Sequence, residues 1–373
     1  MFTLRPLSRF DTAVSLTVIT LLLALVLMIG SAGRPQPAAA TPQILYLAWH
    51  EGSNGAQIFV TTPDGRPPTQ LTHETGMVLD FAPSPNGQTI IYSARRDDGG
   101  SDLWAIDRQG NGRRQLLACP DGACSQPVWM PDGRRLLYER RSFLAPGSPP
   151  GPPRLWWLDT VDGATLPVFA DTQWLGYRAV VAPSGQWINY LSPVQQEIHA
   201  YHLSSGRLVR IPSRSGEPAA WNSRGGELLI TQIRLDAATL STDIIHIALD
   251  DAPDNDAPLD TDAMRSLSGA TAVQDSWPAW SPDDQWIAFT RKGTAAQSNK
   301  QLWLMRADGR DARPLTAEET VHHGPPQWSA DGRFLLYQRL DIVQQTGTAV
   351  WLFDVVTGEA AAITTGSQPA WLP

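Results

Sequence analysis

The side chains with the chemistry to move a proton or hold a metal near neutral pH are the histidines His199, His202, His246, His322 and His323. His199 and His202 are three residues apart, whereas a strand presents every second residue on one face. They therefore do not converge, and His199 stands where sister segments carry an aromatic residue, as a packed or rim histidine would. His322-His323 sits just ahead of a strand, where contact with a metal or substrate at a cavity mouth is the functional reading. His246 falls in mid-strand. The stretch "DDAPDNDAPLDTD" (250–262) holds six Asp, but its spacing matches no calcium loop. Pro253 and Pro258 favour an extended, mobile, solvated loop, with weak Ca²⁺ binding as the alternative. There is no G-x-S-x-G nucleophile motif. No catalytic residue, cofactor-binding residue, metal ligand or cofactor is assigned on this basis, and the expectation is a chain that is not an enzyme.

These groups lie within 373 residues of net charge −8, with 15 Trp, 31 Pro and 30 Gly. Positive charge is almost all Arg, the two lysines being Lys292 and Lys300. No basic surplus marks a nucleic-acid partner. Residues 1–11 carry Arg5 and Arg9, and 12–33 contain no charge. That length just spans a bilayer, and the preceding charge keeps the N-terminus inside. The expectation is a cytoplasmic N-terminus (1–11), a transmembrane helix or uncleaved signal anchor (12–33) and a linker (34–42). A cleaved signal peptide, with "PAAA" as its cleavage region, is the alternative. Either places residues 43–373 on the outer face of a cell membrane. Cys119 and Cys124 flank a Pro/Gly turn and are read as a disulfide or as two free thiols.

What must position any site is a repeat. "QIFVTTPDG", "DLWAIDRQG", "RLWWLDTVDG", "EIHAYHLSSG", "DIIHIALDD", "QLWLMRADG" and "AVWLFDVVTG" share one form: a run of apolar residues closed by a polar turn. Their leading apolar residues are Ile58, Leu103, Leu155, Ile198, Ile244, Leu302 and Val350. Ahead of each lies a shorter apolar run such as "TIIYSA" or "WIAFTR", short and bounded like a strand. Tight turns such as "SPNG" and "MPDG" precede most of these. A Pro-x-Trp segment leads in and a weak strand such as "ARPLT" follows. The unit is thus four antiparallel strands, and radial stacking of such units gives a β-propeller.

The chain starts this pattern at a second strand (Gln43) and ends on a first strand, "SQPAWLP". The expected fold is therefore all-β: a seven-bladed propeller of four-stranded blades over 43–373, closed by the C-terminal strand and preceded by one transmembrane helix. Trp129, Trp221, Trp280, Trp328 and Trp371 recur in the first strand, and Trp104, Trp156, Trp303, Trp351 and Phe59 in the third. All are read as filling gaps between blades.

"PAWSPDDQWIAFTR…QLWLMRADGRDARPLT" (278–316), "PQWSADGRFLLYQR" (326–339) and "PVWMPDGRRLLYER" (127–140) resemble the TolB-type (PD40, WD40-like) β-propeller repeat. The resemblance covers about 43–373. It implies a propeller and little about function, since propellers host many. TolB itself carries an α/β domain before a six-bladed propeller, and 34–42 leave no room for one, so a Tol-Pal role does not carry over. Similar propellers precede the catalytic domain of prolyl-oligopeptidase relatives, and that domain is not seen in this sequence. The expected function is a membrane-anchored scaffold for a protein, peptide or glycan. The alternatives are an accessory or sensor subunit of a membrane complex, and a hydrolase or lyase with its site at the channel mouth.

Overall fold

A computed structural model describes residues 42–49, 52, 54–64, 66–145, 147–171, 173–236, 239–253, 257–261, 263–269, 273–293, 299–343 and 347–373. All seven long apolar segments are strands: Ala56–Thr61, Ser101–Asp107, Arg154–Asp159, Glu197–His202, Thr239–Ala248, Gln301–Arg306 and Thr348–Asp354. Each pairs antiparallel with the shorter run before it, as in Ile287↔Met305 and Phe289↔Trp303. Alternation places Ile, Leu and Phe on both faces of these pairs, so each pair is buried on both sides. The clusters accordingly mix residues from successive units. Leu229 and Ile244 pack with Ile287, Phe289 and Met305, and Ile44 and Tyr46 pack with Leu336, Val350 and Leu352.

The strands do not form seven separate four-stranded sheets, and this corrects the expected architecture. Among the described residues they form five sheets, of four, eight, four, seven and five strands, and none of these closes on itself into a ring or barrel. One single-residue parallel bridge, Ser101↔Ala123, joins two units into the eight-stranded sheet. Another, Thr242↔Gln274, produces the seven-stranded one. The physical cause is that the first strands at Gly122–Trp129 and Val273–Trp280 are long enough to reach back to the preceding third strand. The fourth strand after Thr239–Ala248 shrinks to one isolated bridge, Ile245↔Ser266. In the last sheet the first strand is broken into Val321–His323 and Gln327–Trp328. Between them stand Gly324, Pro325 and Pro326, and proline has no N–H for the ladder.

The C-terminal strand Ser367–Leu372 does pair with Gln43–Trp49, with Gln43↔Leu372 and Leu45↔Ala370 in register. No helix among the described residues is long and apolar enough to cross a membrane. Residues 12–33, on which the expectation of a transmembrane helix fell, lie outside the described residues. Cys119 and Cys124 form a disulfide with Cα atoms 6.2 Å apart.

Tryptophan does what its recurrence suggested, with a polar addition. Trp129 Nε1 donates to Ala82 O, Trp221 Nε1 to Val180 O, Trp328 Nε1 to Ala279 O and Trp371 Nε1 to Gln327 O, at 3.1, 3.2, 3.1 and 3.3 Å. Each indole thus fills a gap and ties its first strand to the preceding one. The third-strand tryptophans carry a guanidinium over the ring: Arg113 over Trp104, Arg140 over Trp156, Arg291 over Trp303 and Arg339 over Trp351.

A second tie runs through bulges in the first strands. Gln126, Arg178, Trp277 and Gln368 sit at φ between 50° and 53°, a left-handed conformation uncommon outside glycine. Their N–H groups, turned out of the ladder, donate to Asp80, Glu139, Glu217 and Gln338 of an earlier unit. The three acids are buried. Burial pushes the carboxyls of Asp80 and Glu139 up from their ordinary range.

Candidate functional site

The hairpin joining Trp286–Gly293 to Gln301–Arg306 closes one wall of a cleft of about 1070 Å³. The floor is Val273 and Trp303, and the facing wall is the 317–320 loop with Ile342 and Val343. Gln301 fixes that loop by donating from Nε2 to the Glu318 and Val321 carbonyls and accepting from the Glu318 N–H. Gln57 repeats this arrangement with the 74–76 loop. The glutamine just ahead of the third-strand apolar run is a loop anchor in both these units.

The cleft lining carries Arg291 and Lys292 together with Glu318 and Glu319. Arg291 grips Asp275 through two hydrogen bonds of 2.6 and 2.8 Å, and Asp275 has no exposed surface. Arg339 pairs with Glu318 at 3.1 Å. Lys292 and Lys300 make no ion pair among the described residues. The last ladder pair of the hairpin is Arg291↔Gln301, so one step further Lys292 comes opposite Lys300. Like charges directly across a hairpin repel. Burial, then the Lys292 charge, holds the Lys300 ammonium below its ordinary value, while Glu217 opposes that shift.

His322 and His323 do not line the cleft; His323 stands next to Glu318, which does. The sequence placed them ahead of the first strand; they lie within its detached initial part, paired as His322↔Leu340 and His323↔Arg339. Alternation then sends them opposite ways. His322 is part-buried, and burial followed by the charges of Lys300 and Lys292 keeps it below the ordinary imidazole value. His323 is fully buried and its N–H donates to the Lys300 carbonyl at 2.9 Å. Burial pushes it down to about 4. Its Nε2 has no hydrogen-bond partner and lies 3.5 Å from Glu318 Oε2.

Chemically, His322 is an imidazole kept towards its neutral form by burial and by the ammonium groups of Lys300 and Lys292. It can accept a proton and stabilise a developing negative charge. Among the described residues no group of three or more His, Cys, Asp or Glu has a metal-holding arrangement.

The other histidines do not join it. His199 is buried, with Nε2 3.0 Å from Glu197 and Nδ1 3.2 Å from the Tyr190 hydroxyl. His202 contacts Ser205 on a turn. His246 pairs with Glu227 at 2.8 Å beside a separate cleft of about 550 Å³. The acidic insert is not simply a solvated extended loop: Leu249–Asp251 forms a 3-10 turn, and Leu249 and Leu259 are buried in the core. Residues 254–256 and 262 of that insert lie outside the described residues. Sequence reasoning missed Lys292, Lys300 and the Arg291–Asp275 pair. One signal was available: both lysines of an arginine-rich chain fall within nine residues of each other.

No family model matches the sequence, and no curated protein matches it. Solved structures do match. TolB from Acinetobacter baumannii is 13% identical with a TM-score of 0.53, over 89% of this chain and 67% of that one. A puromycin-hydrolyzing peptidase of Mycobacterium tuberculosis is 15% identical with a TM-score of 0.57, over 87% of this chain and 54% of that one. A prolyl endopeptidase is 10% identical with a TM-score of 0.61, over 88% and 50%. The chain spans about half the length of these peptidases.

The fold has TolB-like, β-propeller character. It is an all-β fold related both to TolB and to several hydrolytic enzymes. The expectation of a non-enzymatic chain is corrected by these likenesses, because the same fold recurs among peptidases and hydrolases.

Proposed function

We propose that this chain is an extracytoplasmic enzyme of hydrolase or lyase type, with PD40-type repeats as its frame and its reaction at His322. The observation that carries it is His322, a part-buried imidazole held below its ordinary value by burial and by the charges of Lys300 and Lys292, and whose strand neighbour His323 is hydrogen-bonded to the Lys300 carbonyl. His322 acts as general base, drawing a proton from water or from an acidic substrate carbon. The lysines stabilise the negative charge that develops. The Cys119–Cys124 disulfide supports an oxidising compartment, and the uncharged 12–33 stretch supports a membrane tether.

The test is an assay of the full-length protein, in detergent, on chromogenic esters, peptide amides and glycosiduronates. His322→Gln should lower turnover by about 10²–10⁴-fold with the melting temperature preserved. A wild-type protein inert on every class, or a variant with unchanged rate, would sink the reading.

A scaffold for a protein partner is the second reading. Leu144, Val194, Leu235 and Leu240 favour it, being exposed on second-to-third-strand hairpins at the same end as the cleft. An accessory role in a membrane complex would use the same surface. Crosslinking in native membranes should then recover a partner that is lost when Leu235 and Leu240 are both changed to Ser.

A further inference from the structure

We propose that the second cleft, the one lined by His246, Trp280 and Asp284, binds a neutral glycan, with a sugar ring against the Trp280 indole and its hydroxyls on the carboxylates and arginines around it. The inference goes beyond the reading at His322 and does not rest on it.

This cleft stands where the repeat departs from its own pattern, three times in one place. The fourth strand after Thr239–Ala248 shrinks to the single bridge Ile245↔Ser266, and His246 beside it lines the cleft. Trp280 lines it too, and its Nε1 has no acceptor. The corresponding indoles of Trp129, Trp221, Trp328 and Trp371 each donate to a carbonyl of the preceding first strand. Asp284 sits at φ 57°, where the sister turns place Gly87, Gly133, Gly185, Gly225 and Gly332 at φ between 65° and 74°. Aspartate there costs backbone energy that glycine does not. Its carboxylate accepts from the Ser223 N–H at 2.8 Å and from the Ser223 hydroxyl at 2.6 Å, in the preceding unit. An unmatched donor and a strained acid gathered at one concave surface mark a functional position rather than a requirement of the fold.

The class of ligand follows from the lining. It holds the acids Glu227, Asp283, Asp284 and Asp308 against only Arg224 and Arg265, so an anion is disfavoured. A compact cation is no better served, because each acid is already engaged. Glu227 pairs with His246 at 2.8 Å, while Asp283, Asp284 and Asp308 accept from the N–H groups of Gln285, Ser223 and Arg310. Among the described residues no three acids or histidines converge as a metal site. What remains is a mixture of carboxylate lone pairs and guanidinium N–H groups around one indole. A sugar hydroxyl both donates and accepts, and the C–H face of a sugar ring covers an apolar indole. The volume of about 550 Å³ lies within the range of small-molecule sites.

The measurement is calorimetric titration of the full-length protein, in a detergent without a sugar head group, with maltotriose, cellotriose and tri-N-acetylchitotriose. Trigalacturonic acid and putrescine are the anionic and cationic comparisons. At least one neutral trisaccharide should bind saturably at millimolar concentration, about tenfold or more tightly than either charged probe. Asp284→Gly restores the glycine of the sister turns. It should leave the cooperative melting transition in place and weaken that sugar about tenfold, by removing a charged acceptor. No saturable heat from any neutral trisaccharide, or equal affinity in Asp284→Gly, overturns the inference. Putrescine binding in place of the sugars does the same. Sugar binding unchanged in His322→Gln, with no turnover by any form of the protein, supports the inference and defeats the catalytic reading. Turnover that depends on His322, without sugar binding, does the reverse.

Discussion

Asp275 is fully buried and its carboxylate is matched by the Arg291 guanidinium, which also donates to the Ser268 carbonyl. Removing one member of such a pair leaves a buried charge without compensation. Asp275→Ala should destabilise by about 3–5 kcal/mol, read as a lower midpoint in urea with an unchanged slope. A midpoint within error of wild type would show that water reaches Arg291. His323 makes a second prediction at this scale. It is enclosed by the Lys300 carbonyl, Thr316, Arg339, His322 and Glu318. Its folded value of about 4 lies below the ordinary 6.5, so the unfolded chain takes up the proton first as pH falls. The stability it contributes is complete above pH 6.5 and is lost as pH drops towards about 4. The loss amounts to about 3 kcal/mol. His323→Gln should flatten that part of the stability profile, and an unaltered slope would assign it to other groups.

Strands here are tied to their neighbours by indole hydrogen bonds and by bulge amides, in addition to apolar packing. The five first-strand tryptophans test the indole contribution, because Trp280 Nε1 is buried without a hydrogen-bond partner whereas Trp328 Nε1 donates to Ala279 O. Trp328→Phe removes a donor from a bonded carbonyl, while Trp280→Phe removes one that was unmatched. The first should cost about 1 kcal/mol more than the second in paired denaturation curves. Equal costs would mean that packing alone sets the strength of these junctions. The bulges were not visible as such in the sequence. Gln126, Arg178, Trp277 and Gln368 have no one residue type common to all four, and their N–H groups reach acceptors of an earlier unit.

Across the whole molecule, the final strand is held by more than its ladder. Gln327 Nε2 donates to the Pro369 carbonyl, Gln338 accepts from the Gln368 N–H, and Trp371 donates to Gln327 O. Gly87, at φ 65°, lies so close to the Pro373 carbonyl that a Cβ there would collide with it. Deleting residues 367–373 exposes one edge of Gln43–Trp49 and uncovers Ile44 and Tyr46. The melting temperature should fall by roughly 5–10 °C. An unchanged transition would show that the terminal strand is dispensable to the sheet it joins.

The sequence alone determined the strands, their order and most of their register. Alternating apolar residues, Asp-Gly and Asn-Gly turns and the repeated Pro-x-Trp act locally, within a hairpin, and each hairpin carries its own instructions. It also marked the tryptophans as junction residues, since only a packing position recurs at every unit. Tertiary structure decided how hairpins merged: the bridges Ser101↔Ala123 and Thr242↔Gln274 depend on where neighbouring units come to rest, which no local pattern encodes. It decided the site as well. Lys292, Glu318 and Val343 are apart in sequence and meet because separate hairpins bring their loops to one end. The repulsion between the lysines exists only once the hairpin has set them face to face.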